Sequence, residues 1–333
     1  MHLNYERGLH FRIPFHSPFM TKKPLPFLQF ESPWCFDPGT IRLLSPADGL
    51  SGEEASRRIM EGVLAQPYIL ETDSERRLHF THDAVQSVMS LEEPDALINA
   101  YTRKMMAFLL FKPNPKHILM VGLGGGSLPK FCYRHLNKAQ ITVVEIDERV
   151  IALREEFFVP ADNHRFRIVC EDGARYMSTL SGPIDVIMVD AFDPIGLAPT
   201  LAATDFYARA AQLLSPNGLL VMNFSGSPVR YSLHIRRIRD AFRGGSAVLV
   251  PVATDDNMVL FAFPRALPLP TTAKYGSRAE LLEARFALEF PRYLRRVCQG
   301  HVLAGMRSGS TSSLDVDSRS RSEPRTGGAL KKS

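Results

Sequence analysis

The chain has 333 residues, 45 % of them hydrophobic, enough to bury one large core or two unequal ones. Its formal charge of +5 is unevenly placed: from Arg307 onward, six Arg and Lys face three acids in a Ser/Gly/Arg-rich stretch. The body is therefore nearly neutral, which argues against nucleic acid as its main partner.

Cys35, Cys132, Cys170 and Cys298 are scattered without a CxxC pair, so neither a disulfide framework nor a cysteine metal site is expected. No apolar run approaches a membrane span, and charges and prolines stand where a signal peptide carries its apolar region. These features predict a cytoplasmic protein that does not engage a membrane.

Residues 1–55 are rich in Phe and Pro and follow neither the helical nor the strand period, which predicts an irregular N-terminal extension. Gly62 to Ser90 reads as short strands with a polar turn at Asp73-Ser-Glu, a small antiparallel β unit. Leu97, Tyr101, Met105, Phe108 and Leu109 recur at helical spacing between Pro94 and Phe111. Residues 56–112 are thus a β unit with a linking helix. Residues 113–300 are expected to form the main, Rossmann-like domain, and residues 301–333 a disordered basic tail.

Ile118 to Asp147 organises the rest. An apolar strand runs into the turn Gly122-Leu-Gly-Gly-Gly126, a helical segment follows, and the β-branched strand Ile141–Ile146 carries Glu145, with Asp147 just beyond. Glycines let backbone approach a ligand closely, and a helix beginning there points free N–H groups at the same place. An acid about 20 residues further on suits two ribose hydroxyls.

Strands and helices then alternate. Helix is predicted over Glu148–Phe157, Thr204–Leu214 and Tyr231–Phe242. Strands are predicted over Phe166–Val169, Ile184–Val189, Leu219–Phe224, Ala247–Val252 and Met258–Phe263. Such alternation specifies a mostly parallel sheet covered on both faces. Ser277–Phe290 reads as a last helix that Pro291 ends or kinks, and the basic stretch Arg285–Arg296 as a solvated face. His79 and His82 are spaced like a surface pair, and no third ligand accompanies them, so no metal is expected.

Ile118–Phe224 resembles spermidine synthase and its aminopropyltransferase relatives. The glycine turn, Val-Glu145-Ile-Asp147, Asp172-Gly173-Ala174 and Val189-Asp190-Ala-Phe-Asp193-Pro194-Ile-Gly196 occur in that family's order, followed by Leu201 and Phe206-Tyr207. The resemblance implies an α/β fold of the class I methyltransferase-like type with a small N-terminal β unit. It implies transfer of an aminopropyl group from decarboxylated S-adenosylmethionine to a small-molecule amine such as putrescine, in a protein that assembles as a homodimer or tetramer. Gly122, Gly124, Gly126, Glu145, Asp172 and Gly173 would then hold the donor. Asp190 would take the amine's proton, and Asp193, Tyr101 and Gln86 would bind the amine. Tyr101 also lies on an apolar helical stripe, where a core role is equally in keeping with its spacing.

The departures from the family are concrete. Gly125 stands where the family carries an acid that grips the aminopropyl ammonium, leaving helix N–H groups without a counter-charge. That environment suits the carboxylate of ordinary S-adenosylmethionine, so a small-molecule methyltransferase is the alternative enzyme, and a non-catalytic nucleoside-binding relative the alternative outside enzymes. The family's Tyr-His-Glu reads Tyr101-Thr102-Arg103, its late tyrosine loop reads Pro251 to Asp256 without Tyr, and a family glutamine is Asn223.

Overall fold

In a computed structural model, residues 26–44, 49–193, 196–197, 200–226, 228–252, 257–265 and 271–302 are described, with backbone alone at 84, 192, 193, 196, 197, 228–230, 301 and 302. Residues 1–25 and the basic tail from 303 onward lie outside the described residues.

Within the extension expected to be irregular, the described residues form two strands, β1 (Phe27–Glu31) and β2 (Thr40–Leu44), and the start of a helix, α1 (Gly52–Met60). The prolines that hide the strand period sit outside these elements, and in β2 only Ile41 and Leu43 are buried, at alternate positions. β3 (Tyr68–Glu71), β4 (Glu75–Thr81) and β5 (Ala84–Ser90) follow as a meander, giving a five-stranded antiparallel sheet in order of sequence. One face packs Ile41, Leu43, Tyr68 and Leu70 against Ala55 and Ile59 of α1. The other delivers Ile69, Leu78 and Met89 to the main core. His79 is buried and stacked on Tyr68 rather than exposed, because it pairs with Tyr68 across the ladder and shares its covered face.

The predicted linking helix is shorter than its apolar spacing suggests. Asn99 is still extended, α2 spans Ala100–Met105, and the chain tightens into a 3₁₀ turn over Met106–Leu110, buried throughout. With every side chain covered, tertiary packing rather than amphipathic period sets the local geometry.

The main sheet is laid down by β6 (His117–Val121), α3 (Ser127–His135), β7 (Gln140–Glu145), α4 (Glu148–Ala152), β8 (Phe166–Cys170), α5 (Gly173–Thr179) and β9 (Ile184–Val189). A two-residue ribbon follows, β10 (Phe192–Asp193) against β11 (Gly196–Leu197). Then come α6 (Thr204–Leu213), β12 (Leu214–Phe224), α7 (Pro228–Ala241), β13 (Ser246–Pro251), β14 (Met258–Phe263), α8 (Thr272–Phe286), α9 (Phe290–Gln299) and β15 (His301–Val302). The eight-stranded order is β15-β13-β14-β12-β9-β6-β7-β8. The run from β12 to β8 is parallel, and β14, β13 and β15 pair antiparallel.

Alternation sorts the strand residues between two layers. Ile118 and Met120 join α3, α8 and α9 on one face, while Leu119 and Val121 join α5, α6 and α7 on the other. From β6 the chain moves outward through β7 to β8, then crosses back to β9. That reversal opens a crevice at the carboxyl ends of the parallel strands.

Two predicted breaks do not occur. β12 begins at Leu214 and absorbs Pro216-Asn-Gly through a register shift before Leu219. Pro291 opens α9 instead of ending a helix: α8 closes at Ala287 in the left-handed conformation, and Pro291 sits in the first turn of the next helix, where no N–H is required of it. No described helix is long and apolar enough to cross a membrane.

Candidate active site

A cavity of about 1130 Å³ occupies the crevice, floored by the ends of β6, β7 and β9 and roofed by β5 and α2. Gly122, with φ of 98°, is required where β6 ends, because a Cβ there would collide with the Asp190 carbonyl oxygen. The Asp190 N–H in turn donates to Val121 O at 3.0 Å. Gly124 and Gly173 also line the cavity. Gly126 does not; its left-handed backbone starts α3, and its missing Cβ makes room for Val159.

Glu145 is fixed by backbone. Its Oε2 accepts from Leu123 N at 2.9 Å and its Oε1 from Asp147 N at 3.0 Å. Burial pushes its carboxyl above the usual carboxylate range, and these N–H groups hold the rise down. Each oxygen keeps a lone pair for a hydroxyl. Asp147 caps α4 and pairs with Arg149 through both oxygens. Burial acts to raise its carboxyl, but the Arg149 pairing wins and holds it low. Arg149 also donates to Ala65 O at 2.6 Å, tying the cavity rim to the loop between α1 and β3. Asp172 caps α5 through Arg175 N at 2.9 Å while lining the cavity.

Asp190 is held by side chains. Its Oδ1 accepts from Asn223 Nδ2 at 3.0 Å, and the Tyr101 hydroxyl bonds the same carboxylate. Asn223 Oδ1 accepts from Asn257 Nδ2 at 3.0 Å, so a chain of amides from β12 and the start of β14 ends on the acid. Burial raises the Asp190 carboxyl above its ordinary range, and Asn223 and Tyr101 restrain the rise. A half-buried carboxylate of raised basicity facing a cavity can accept a proton.

The predicted residues therefore converge: Gln86, Tyr101, Gly122, Gly124, Glu145, Asp172, Gly173 and Asp190 share one cavity. Tyr101 serves both readings, since it packs on the main core and bonds Asp190. Asp193 belongs to β10 by its backbone, and its side chain lies outside the described residues, as do Asp255 and Asp256. Sequence reasoning missed Ser87, Ser127, Ile146 and Asn257, all of which line the cavity. Ile146 had a signal: an apolar residue between two acids at a strand end, 64 % exposed beside Glu145. Among the described residues, no three His, Cys, Asp or Glu form a metal-binding group.

Residues 98–252 match the family model for the spermine/spermidine synthase domain. A polyamine aminopropyltransferase of Chromobacterium violaceum is 37 % identical over 74 % of this chain and 98 % of its own length. A polyamine aminopropyltransferase of Neisseria meningitidis is 33 % identical over 68 % of this chain and 86 % of its own. Among solved structures, a probable spermidine synthase from Corynebacterium glutamicum superposes with a TM-score of 0.54 at 17 % identity, covering 75 % of this chain and 95 % of that one. That likeness speaks for the fold.

Proposed function

The chain belongs to the spermine/spermidine synthase family and is a transferase of aminopropyl groups; from that premise we propose that its donor is decarboxylated S-adenosylmethionine, its acceptor a small amine, and Asp190 its base. The observation that carries this reading is the placement of Asp190 on the strand next but one to Glu145, with the glycine turn between them. Neighbouring strands lie about 4.8 Å apart, so the two acids span roughly 10 Å of crevice, about the reach of a nucleoside and its sulfur substituent.

The residues divide the work along that span. Glu145 accepts from the ribose hydroxyls, Ile146 covers the face of the base, and Asp172 accepts from its amino group through the oxygen not engaged in capping. Gly122 and Gly124 allow the sulfonium to lie against backbone. Gln86, Tyr101 and Asp193 hold the amine.

At the far end the ammonium gives a proton to Asp190, freeing the nitrogen lone pair. That nitrogen attacks the methylene carbon bonded to sulfur. The C–N bond forms as the C–S bond breaks, and the bonding pair returns to sulfur as a neutral thioether. A sulfonium is already an activated leaving group, so alignment and deprotonation are what remain for the protein to supply. Residues 113–300 provide the floor of this site and residues 56–112 its roof.

Calorimetric titration with decarboxylated and ordinary S-adenosylmethionine, followed by an amine screen, tests the proposal. Tight binding of the decarboxylated donor and formation of a longer amine are expected. A preference for the carboxylated donor with methylated product would overturn it.

A further inference from the structure

We propose that Ser87 and Ser127 form the subsite for the charged end of the donor's transferable chain, so that this chain reads an ammonium through a pair of hydroxyls. The inference rests on the donor assignment above and specifies how that donor is recognised.

Three observations lead there. Gly125 has no room for a side chain: a Cβ at that position would lie 2.7 Å from Ser87 Oγ, 2.9 Å from Ser87 Cβ and 3.0 Å from Phe157 Cδ1. The place where a residue of the glycine turn would project into the crevice is thus held by a side chain of β5, from the other sheet. Second, Ser87 Oγ and Ser127 Oγ lie 3.3 Å apart, one descending from the roof and one at the start of α3, and both line the cavity. Third, the pair sits at the carboxyl end of β6, between the strands that carry Glu145 and Asp190. A chain attached to a sulfur in that interval passes beside them.

The chemistry of two hydroxyls differs from that of a carboxylate. With one donating to the other, three lone pairs remain between them, and an ammonium brings three donors. The same hydroxyls can turn a hydrogen outward to a carboxylate, so the pair recognises polarity and position more than sign. This chain should therefore discriminate modestly between the decarboxylated donor and its carboxylated parent.

The test compares Ser87→Ala, Ser127→Ala and the double variant with the unaltered protein by calorimetry. The ligands are decarboxylated S-adenosylmethionine and 5′-methylthioadenosine, which has the same nucleoside and sulfur but lacks the chain. The double variant should bind the donor about tenfold or more weakly, as expected for loss of hydrogen bonds to a charged group, and bind methylthioadenosine unchanged, which also shows that the site is folded. Equal donor affinity in the double variant and the unaltered protein overturns the inference and leaves the donor assignment standing. Failure of the unaltered protein to bind either nucleoside overturns the donor assignment and the inference with it. In a complementary variant, Ser87→Gly with Gly125→Asp, loss of the serine side chain leaves Phe157 Cδ1, 3.0 Å from the new Cβ, as its nearest neighbour, and a slight shift of that ring admits an acid. The decarboxylated donor should then bind more tightly and the carboxylated one less, and no change in that ratio counts against the subsite.

Discussion

The two ends of the crevice are built by different means. At the β7 end, Glu145 is held by the N–H groups of Leu123 and Asp147, and Asp172 by the helix it caps. At the β9 end, Asp190 is held by Tyr101 from α2 and by Asn223, which Asn257 orients in turn. A backbone donor is present for every residue type except proline, whereas a side-chain donor is lost with a single substitution. The first end is therefore robust to sequence change, and the second is open to retuning.

The sharpest way to break this contrast is at the acid itself. Asp190→Asn should lower kcat by about 10²- to 10⁴-fold, the usual contribution of a positioned base, while donor affinity at the Glu145 end stays the same. Steady-state kinetics beside calorimetry separate the two, and a parallel loss of donor affinity would show that the ends are not independent.

Asn223→Leu should act more gently. Asn223 stabilises the ionised form of Asp190, so removing it adds to the rise that burial causes. As the proposed base, Asp190 acts only when ionised, so the acid limb of the kcat/KM profile should move to higher pH, with activity recovering at alkaline pH. An unmoved limb would detach the amide chain from the base.

The smallest effect belongs to the support behind the β7 end. Lys130 on α3 is 1 % exposed and donates to Phe157 O at 2.8 Å, seating the ring that closes the space at Gly125. Burial lowers its amine to about 8. Between that value and the unfolded 10.5 the unfolded chain binds the extra proton, so stability should rise with pH across that window. Lys130→Met should flatten this rise, read as the difference between the two proteins in urea unfolding at pH 7.5 and pH 10.

The same contrast explains what could be read from the sequence. Glu145 lies 22 residues from Leu123, within one strand–turn–helix–strand unit, so spacing alone brings them together. The amide chain spans 34 residues between Asn223 and Asn257, and the hydroxyl pair 40 between Ser87 and Ser127. No local period encodes those meetings. They depend on β14 lying antiparallel beside β12, and on β5 reaching over the main sheet. The strands at residues 27–44 escaped notice for a related reason: their flanking prolines look like disorder until the partner strands supply the pairing.

Where Gly122 lets the Asp190 carbonyl approach, main chain rests on main chain without an intervening side chain. The gap between the glycine turn and the proposed proton acceptor is thereby a fixed gauge, set by the backbone of β6 and β9. For anyone wishing to redirect this catalyst, positions 101, 223 and 257 are where the acid can be retuned, each at the cost of a bond to it or behind it, while the gauge itself stays in place.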